Sequence, residues 1–282
     1  TPNLSPEEMK LNNLRYLLAF LPAAMALQSC DDVDTSDRFI ETAPVDVART
    51  VLLEDFTGQN CINCPAAHET VHALVEQYGD NIIPVAVHSG GLAISVDRTN
   101  FEYNFVGLMT EDGNTYDKRF NTFQTWPAGT VNRGATLSHS DWAAAVRTAI
   151  TEEADLSIDL SAKAADGKVE IETTLRPSAN LSGSLQLWIT EDGITARQKL
   201  LNGTTDSEYV HNHVFRAAVN GTWGEAMTLT SGVHTSASHS IEIRNTDKER
   251  WNANNLTVVA FFYNETGVLQ AAKAKVTATI EE

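Results

Sequence analysis

Cys61 and Cys64 stand two residues apart in Gln59-Asn60-Cys61-Ile62-Asn63-Cys64-Pro65, a spacing that can close a disulfide or pass one on through a mixed intermediate. At the start of a helix, free amide hydrogens and the positive end of the dipole favour thiolate over thiol. Cys61, ahead of the helix, is therefore the expected exposed nucleophile, and Cys64, in the first turn, its resolving partner. Ile62 and Asn63 lie between them, where they tune the thiols and meet a substrate first. His68 follows Cys64 by four residues, one helical turn, so Cys61, Cys64 and His68 also form an alternative metal-handling set. A second histidine pair, His211 and His213, shares one face if Tyr209–Val214 is extended, with Val210 and Val214 packing inward. Two imidazoles fall short of a ligand set, so no metal is assigned.

The elements around the cysteines follow from periodicity. Arg49–Phe56 is rich in β-branched and apolar residues and closes on Thr57-Gly58, as a strand does. From Pro65 to Tyr78, Ala67, Val71, Leu74, Val75 and Tyr78 recur at helical steps, and Gly79 supplies a stop. Ile82–His88 reads as a second buried strand, so strand, helix and strand imply a parallel pair. Beyond residue 155 the helical period gives way to alternation. Leu156–Leu160 and Val169–Thr173 flank the hairpin signal Asp166-Gly167. Further strands are expected at 184–190, 214–219, 227–230, 239–243, 256–262 and 268–276, spaced as in an antiparallel immunoglobulin-like sandwich.

The chain has 282 residues, 42% of them apolar, which is enough for a packed core and excludes wholesale disorder. Its net charge of −17 repels phosphate backbones, so nucleic acid is excluded as a general partner. Met9–Arg15 carries two positive charges, Leu17–Leu27 is apolar, and Leu27-Gln28-Ser29-Cys30 closes the run, the pattern of a secretory signal. A cysteine after that small residue is expected to be lipidated, so that Cys30 becomes the mature amino terminus and the membrane anchor. The expected organisation is a signal over 1–30 (1–8 preceding the start at Met9), an acidic tether over 31–46, and globular segments over 47–154 and 155–282.

Several residues carry a resemblance to thioredoxin-like proteins. Asp55-Phe56 stands just ahead of the CxxC, and Thr125-Trp126-Pro127-Ala128-Gly129 is followed by a short strand, a turn at Arg133-Gly134 and a helix from Ser140. The resemblance implies an α/β fold and a buried Asp55 acting as general base for Cys64, with Glu54 as competing acid. It also implies a cis-proline at Pro127, with the backbone of Trp126 pairing with substrate. Ile62-Asn63 replaces the usual Gly-Pro, and Asn60 the usual tryptophan, which leaves redox direction open. Residues 89–124 form an insert, with Gly90-Gly91 and the aromatic group Phe101, Tyr103 and Phe105, that serves either as a substrate lid or as extra core.

Taken with Cys30, Phe56-Thr57-Gly58, Cys61–Pro65, the Tyr209–Phe215 segment and Val268–Ala271, the chain resembles the Omp-twenty-eight-related outer-membrane lipoprotein family. That resemblance implies a thioredoxin-like α/β domain followed by an all-β immunoglobulin-like sandwich, lipid-anchored at the outer membrane. The acidic run after Cys30 resembles a surface-export signal. The leading expectation is thiol–disulfide exchange with extracytoplasmic protein thiols and disulfides, needing no cofactor beyond the CxxC itself. The alternatives are a cell-surface binding or structural lipoprotein with Cys61–Cys64 as a staple, and a metal-handling protein.

Overall fold

Alternation in Val51–Thr57 puts Leu52 and Phe56 on one face of a strand and Val51 and Leu53 on the other, and all seven residues are buried. Such a strand belongs in the middle of a sheet covered on both sides. The computed structural model describes residues 47–278 apart from 121 and 123–125, so the signal, Cys30 and the tether lie outside the described residues.

β1 (Val51–Thr57) leads through α1 (Cys64–Tyr78) into β2 (Ile82–His88). The two strands are parallel, with Asp55 opposite Ala86, as the strand–helix–strand pattern requires. The insert makes three short helical turns and then α2 (Glu111–Phe120). β3 (Ala128–Val131) and β4 (Thr136–Ser138) form a hairpin on the free edge of β1, and α3 (Trp142–Ala149) follows. The chain continues through β5 (Leu156–Ala165), β6 (Lys168–Pro177), β7 (Leu181–Glu191), β8 (Val214–Ala218), β9 (Glu225–Leu229), β10 (Thr235–Glu242), β11 (Leu256–Asn264) and β12 (Gly267–Lys275).

The protein is mostly β, with few helices and one mixed sheet that runs through both halves of the chain. Its order is β12-β11-β7-β8-β2-β1-β3-β4, with β9 also pairing to β7. The join is a parallel contact of β8 on β2, Val214 opposite Ala86, where the Ala86 amide donates to the His213 carbonyl at 2.8 Å. Besides three short two-stranded ladders, β5, β6, β10 and the short strand Thr277–Ala278 form a second sheet, whose Val169, Ile171 and Leu175 share a core with Leu187, Val258 and Ala260 of the large one. Alternation predicted these strands but not their pairing, because an edge contact between distant strands is set by tertiary packing and leaves no local period.

Two further cores cover the large sheet. α1 and α3 pack on Val51, Leu53 and Ile82 through Ala67, Leu74, Trp142 and Val146. On the opposite face Leu52, Phe56 and Val85 meet Tyr116, Trp188, Phe215 and Phe261. The β3–β4 turn centres on Asn132 and Arg133, one residue earlier than the sequence suggests, and both residues have positive φ (51° and 58°). That geometry suits a tight hairpin turn and sends Arg133 into the aromatic core.

Its guanidinium lies 4.5 Å from the ring centre of Tyr263, 4.6 Å from Phe261 and 5.2 Å from Trp188. Nε is 3.5 Å from a carboxylate oxygen of Glu54, itself fully buried and hydrogen-bonded by Thr130. This arginine therefore ties the β1–β3 end of the sheet to β7 and β11 through ring faces and one buried ion pair. Arg133→Ala would strand Glu54 in the core and should lower stability by about 3–5 kcal/mol in denaturant unfolding. Arg133→Lys should recover only part of that, because an ammonium cannot stack on the rings. A loss under about 1 kcal/mol for the alanine variant would contradict this role.

Candidate functional site

α1 opens at Cys64 with Pro65 in its first turn, where a missing amide hydrogen leaves no intrahelical bond unmade. Cys61 and Cys64 are joined in a disulfide. Between them Ile62 and Asn63 are exposed, Ile62 by 40%. The sulfur-bearing residues are not: Cys61 is 3% exposed and Cys64 fully buried, so the expectation of an exposed nucleophile fails.

The cover is a segment that strand reading could not place. The connection from β7 to β8 is an arm stiffened by two short antiparallel ladders, Ile194–Thr195 with Val210–His211 and Gln198–Lys199 with Thr205–Asp206. It lies on the CxxC turn, where the fully buried Gln198 donates from Nε2 to the Cys61 carbonyl at 2.9 Å. The Lys199 amide donates to the Gln59 carbonyl at 2.8 Å. From the other side the insert grips the same turn: Asn60 N–H donates to the Leu92 carbonyl (2.8 Å), and Gln59 Nε2 donates to the Val106 carbonyl (2.8 Å). Gly58 permits this approach, since a β-carbon there would stand 2.7 Å from the Leu92 carbonyl carbon.

Asp55 and Glu54, adjacent in sequence, point to opposite faces of β1. Glu54 goes to Arg133 and Thr130. Asp55 faces α1, is 2% exposed, and neither carboxylate oxygen has a hydrogen-bond partner. Burial without compensation raises its pKa to about 8, so the carboxyl is mostly protonated at neutral pH. Asp55 shares a cleft of about 210 Å³ with His68 from α1, His88 from β2, and Tyr209 and His211 from the arm. His68 Nε2 lies 3.8 Å from Asp55 and 3.1 Å from the Thr57 hydroxyl, while its Nδ1 is hydrogen-bonded to the Tyr209 hydroxyl at 2.8 Å. Burial lowers the pKa of His68 and of His211 to about 4, and holds His88 well below the usual imidazole value, so all three rings are neutral at pH 7.

His211 and His213 both line the cleft, but not from one extended strand. His213 takes a positive φ of 56°, which breaks the alternation. His211 is buried against the His88 ring, with centroids 5.1 Å apart, while His213 pairs with Asp192 at 3.2 Å near the surface. For the same reason Val210 is exposed while Val214 packs inward. Among the described residues no three His, Cys, Asp or Glu side chains form a group that could hold a metal ion. The Trp126–Pro127 peptide is cis, and Pro127 is buried next to Ala128, whose strand partner is Phe56. Trp126 lies against Gly90 of the insert, at the point where a β-carbon would meet its ring at 3.0 Å.

Sequence reading missed Gln198 and His88. Nothing local marks a glutamine as a clamp, but the outward period of β2 already put His88 on the Asp55 side.

The chain matches the family model described as outer membrane protein Omp28 over residues 113–279. That span holds Pro127, Gln198, Tyr209 and His211 but begins beyond Cys64. No curated protein matches the sequence. Among solved structures the fold is like that of HBP35 of Porphyromonas gingivalis, at 14% identity over 83% of this chain and 78% of that one, TM-score 0.64. A domain of the outer membrane lipoprotein Omp28 from the same organism aligns over 45% of this chain and 92% of its own, at 21% identity and TM-score 0.34. A protein of Agrobacterium tumefaciens aligns over 84% and 99%, at 14% identity and TM-score 0.46.

The titrations predict a pH signature. Asp55 binds its proton more tightly folded than unfolded, so it favours the fold at low pH and loses that contribution as pH rises from about 4 towards 8. The buried histidines act oppositely, giving stability that falls away as pH drops from 6.5 towards 4. Asp55→Asn removes only the first effect. Its stability relative to the native protein should therefore rise by a few kcal/mol, on the order of one per pKa unit, between pH 5 and about 9 in urea unfolding. A constant difference across that range would contradict the burial of an uncompensated carboxyl.

Proposed function

The chain belongs to the Omp28 family of outer-membrane proteins, and from that premise we propose that it is a lipid-anchored, thioredoxin-like protein exchanging disulfides with extracytoplasmic protein thiols. The observation that carries this reading is Asp55, a protonated carboxyl with no hydrogen-bond partner, buried on the α1 side of the strand that leads to the disulfide. A structural staple has no use for such a group, which destabilises the fold at neutral pH. Within the exchange reading, β1–β4 with α1 and α3 are the thioredoxin-like part, and the β5–β6–β10 sheet facing β7 and β11 is the immunoglobulin-like sandwich.

From the oxidised state the step is balanced as follows. A substrate thiolate attacks Cys61 Sγ, and the Cys61–Cys64 bond breaks with its electron pair on Cys64, which takes the Asp55 proton. The substrate's second thiolate attacks its own sulfur in the mixed disulfide, and Cys61 leaves as thiolate. Two substrate thiols become one disulfide, the CxxC pair gains two electrons, and of the substrate's two protons one restores the proton Asp55 gave to Cys64 and the other protonates Cys61. Because Cys61 is 3% exposed under the arm, the Gln198 clamp must release before attack.

The same burial favours a second reading, a staple within a binding or structural lipoprotein. Dithiothreitol separates the two. Under exchange, reduction of the native protein proceeds without unfolding, Gln198→Ala accelerates it ~10-fold through the lost clamp bonds, and Asp55→Asn slows it ~100-fold. Reduction that never outruns global unfolding, and is indifferent to Gln198→Ala, makes the pair a staple. Separately, a palmitate label on the expressed protein should vanish in Cys30→Ser; retention of label would place the anchor elsewhere.

A further inference from the structure

A buried acid that donates a proton in every turnover must be recharged from solvent, and Asp55 is 2% exposed with both oxygens unpartnered. One side chain leads outward from it. His68 presents Nε2 at 3.8 Å from Asp55 Oδ2, a gap that a small ring rotation closes to hydrogen-bond distance. Its other nitrogen is hydrogen-bonded at 2.8 Å to the Tyr209 hydroxyl. Asp55 is 2% exposed and the His68 side chain 20%, and the half-buried Tyr209 stands at the cleft wall beyond it. Imidazole can take a proton on one ring nitrogen and release one from the other, which no other side chain in the cleft does in one step between these partners.

We propose that His68 and Tyr209 form the proton path between solvent and Asp55, so that the helix after the CxxC and the arm from the second half of the chain jointly recharge the site. This rests on the exchange reading for its purpose, but not for its geometry. His68 is a positioning residue here, since it acts through Asp55 rather than on sulfur. The groups facing it are Asp55 and Thr57 from β1, His88 from β2, Tyr209, His211 and His213 from the arm, and Glu69 and His72 from its own helix. The imidazoles of His88 and His211 are neutral and buried, so neither supplies a competing fixed charge beside the path. In the neutral ring one nitrogen carries the proton and the other can accept one, with the Thr57 hydroxyl, 3.1 Å from Nε2, sharing the side that faces Asp55.

Infrared spectroscopy reads the path without any redox step. At about pH 6 the protonated Asp55 carboxyl, whose pKa is about 8, gives a carbonyl band that is absent from Asp55→Asn and shifts on transfer into D2O. His68→Gln and Tyr209→Phe should each slow that shift ~10-fold or more while leaving the band position before transfer unchanged. Added free imidazole should restore the rate in His68→Gln by entering the cleft. Unchanged exchange in both variants means that protons arrive by breathing of the fold and overturns the path, even where dithiothreitol shows native-state reduction. Conversely, slowed exchange in a protein reduced only on unfolding keeps the path and discards the exchange reading.

Discussion

The contact of β8 with β2 is the constraint on which the site depends. A single parallel register, Val214 against Ala86, merges the sheet begun by β1 and β2 with the one built by β7 and β11. It also fixes where the β7–β8 connection can go. An arm leaving β7 and returning into β8 at that edge must cross the carboxyl ends of β1 and β2, where the CxxC turn and His88 lie. The arm thereby brings Gln198 to the Cys61 carbonyl, and Tyr209 and His211 to the rings of His68 and His88, all far upstream in the chain. Neither half of the chain holds the complete site.

Burial then sorts two neighbouring acids into different chemistry. Glu54 is given a guanidinium and a threonine hydroxyl, which act against the burial that raises its pKa, and it joins the packing between β1, β3 and the aromatic core. Asp55, one residue on and on the other face, is given nothing and stays protonated near neutrality. The one-residue step between faces of a strand is enough to separate a buried carboxyl with a guanidinium partner from one with no hydrogen-bond partner. Around Asp55 the rings of His68, His88 and His211 are neutral, and burial alone raises its pKa.

Much of this was legible in the sequence. The helix from Pro65 to Tyr78 and the flanking parallel strands follow from local period, whereas the cis bond ahead of Pro127 and the burial of Asp55 were expected only from the resemblance to thioredoxin-like proteins. What was not legible depends on long-range pairing. Alternation predicted β7, β8, β11 and β12 as strands, but not that they extend the first sheet. Cys61 was expected at the surface because nothing in Gln198 or its neighbours announces a clamp. At His213 the left-handed backbone breaks the expected alternation, and its ring pairs with Asp192 while His211 packs on His88.

The central claim is that the Cys61–Cys64 bond is made and broken in the working protein, and its reduction potential tests that most directly. Equilibration of the intact protein against graded dithiothreitol or glutathione mixtures gives the value. The account predicts a potential well above roughly −300 mV, within the range of couples that exchange with cellular thiols. A potential below that, where structural disulfides of exported proteins lie, would contradict it.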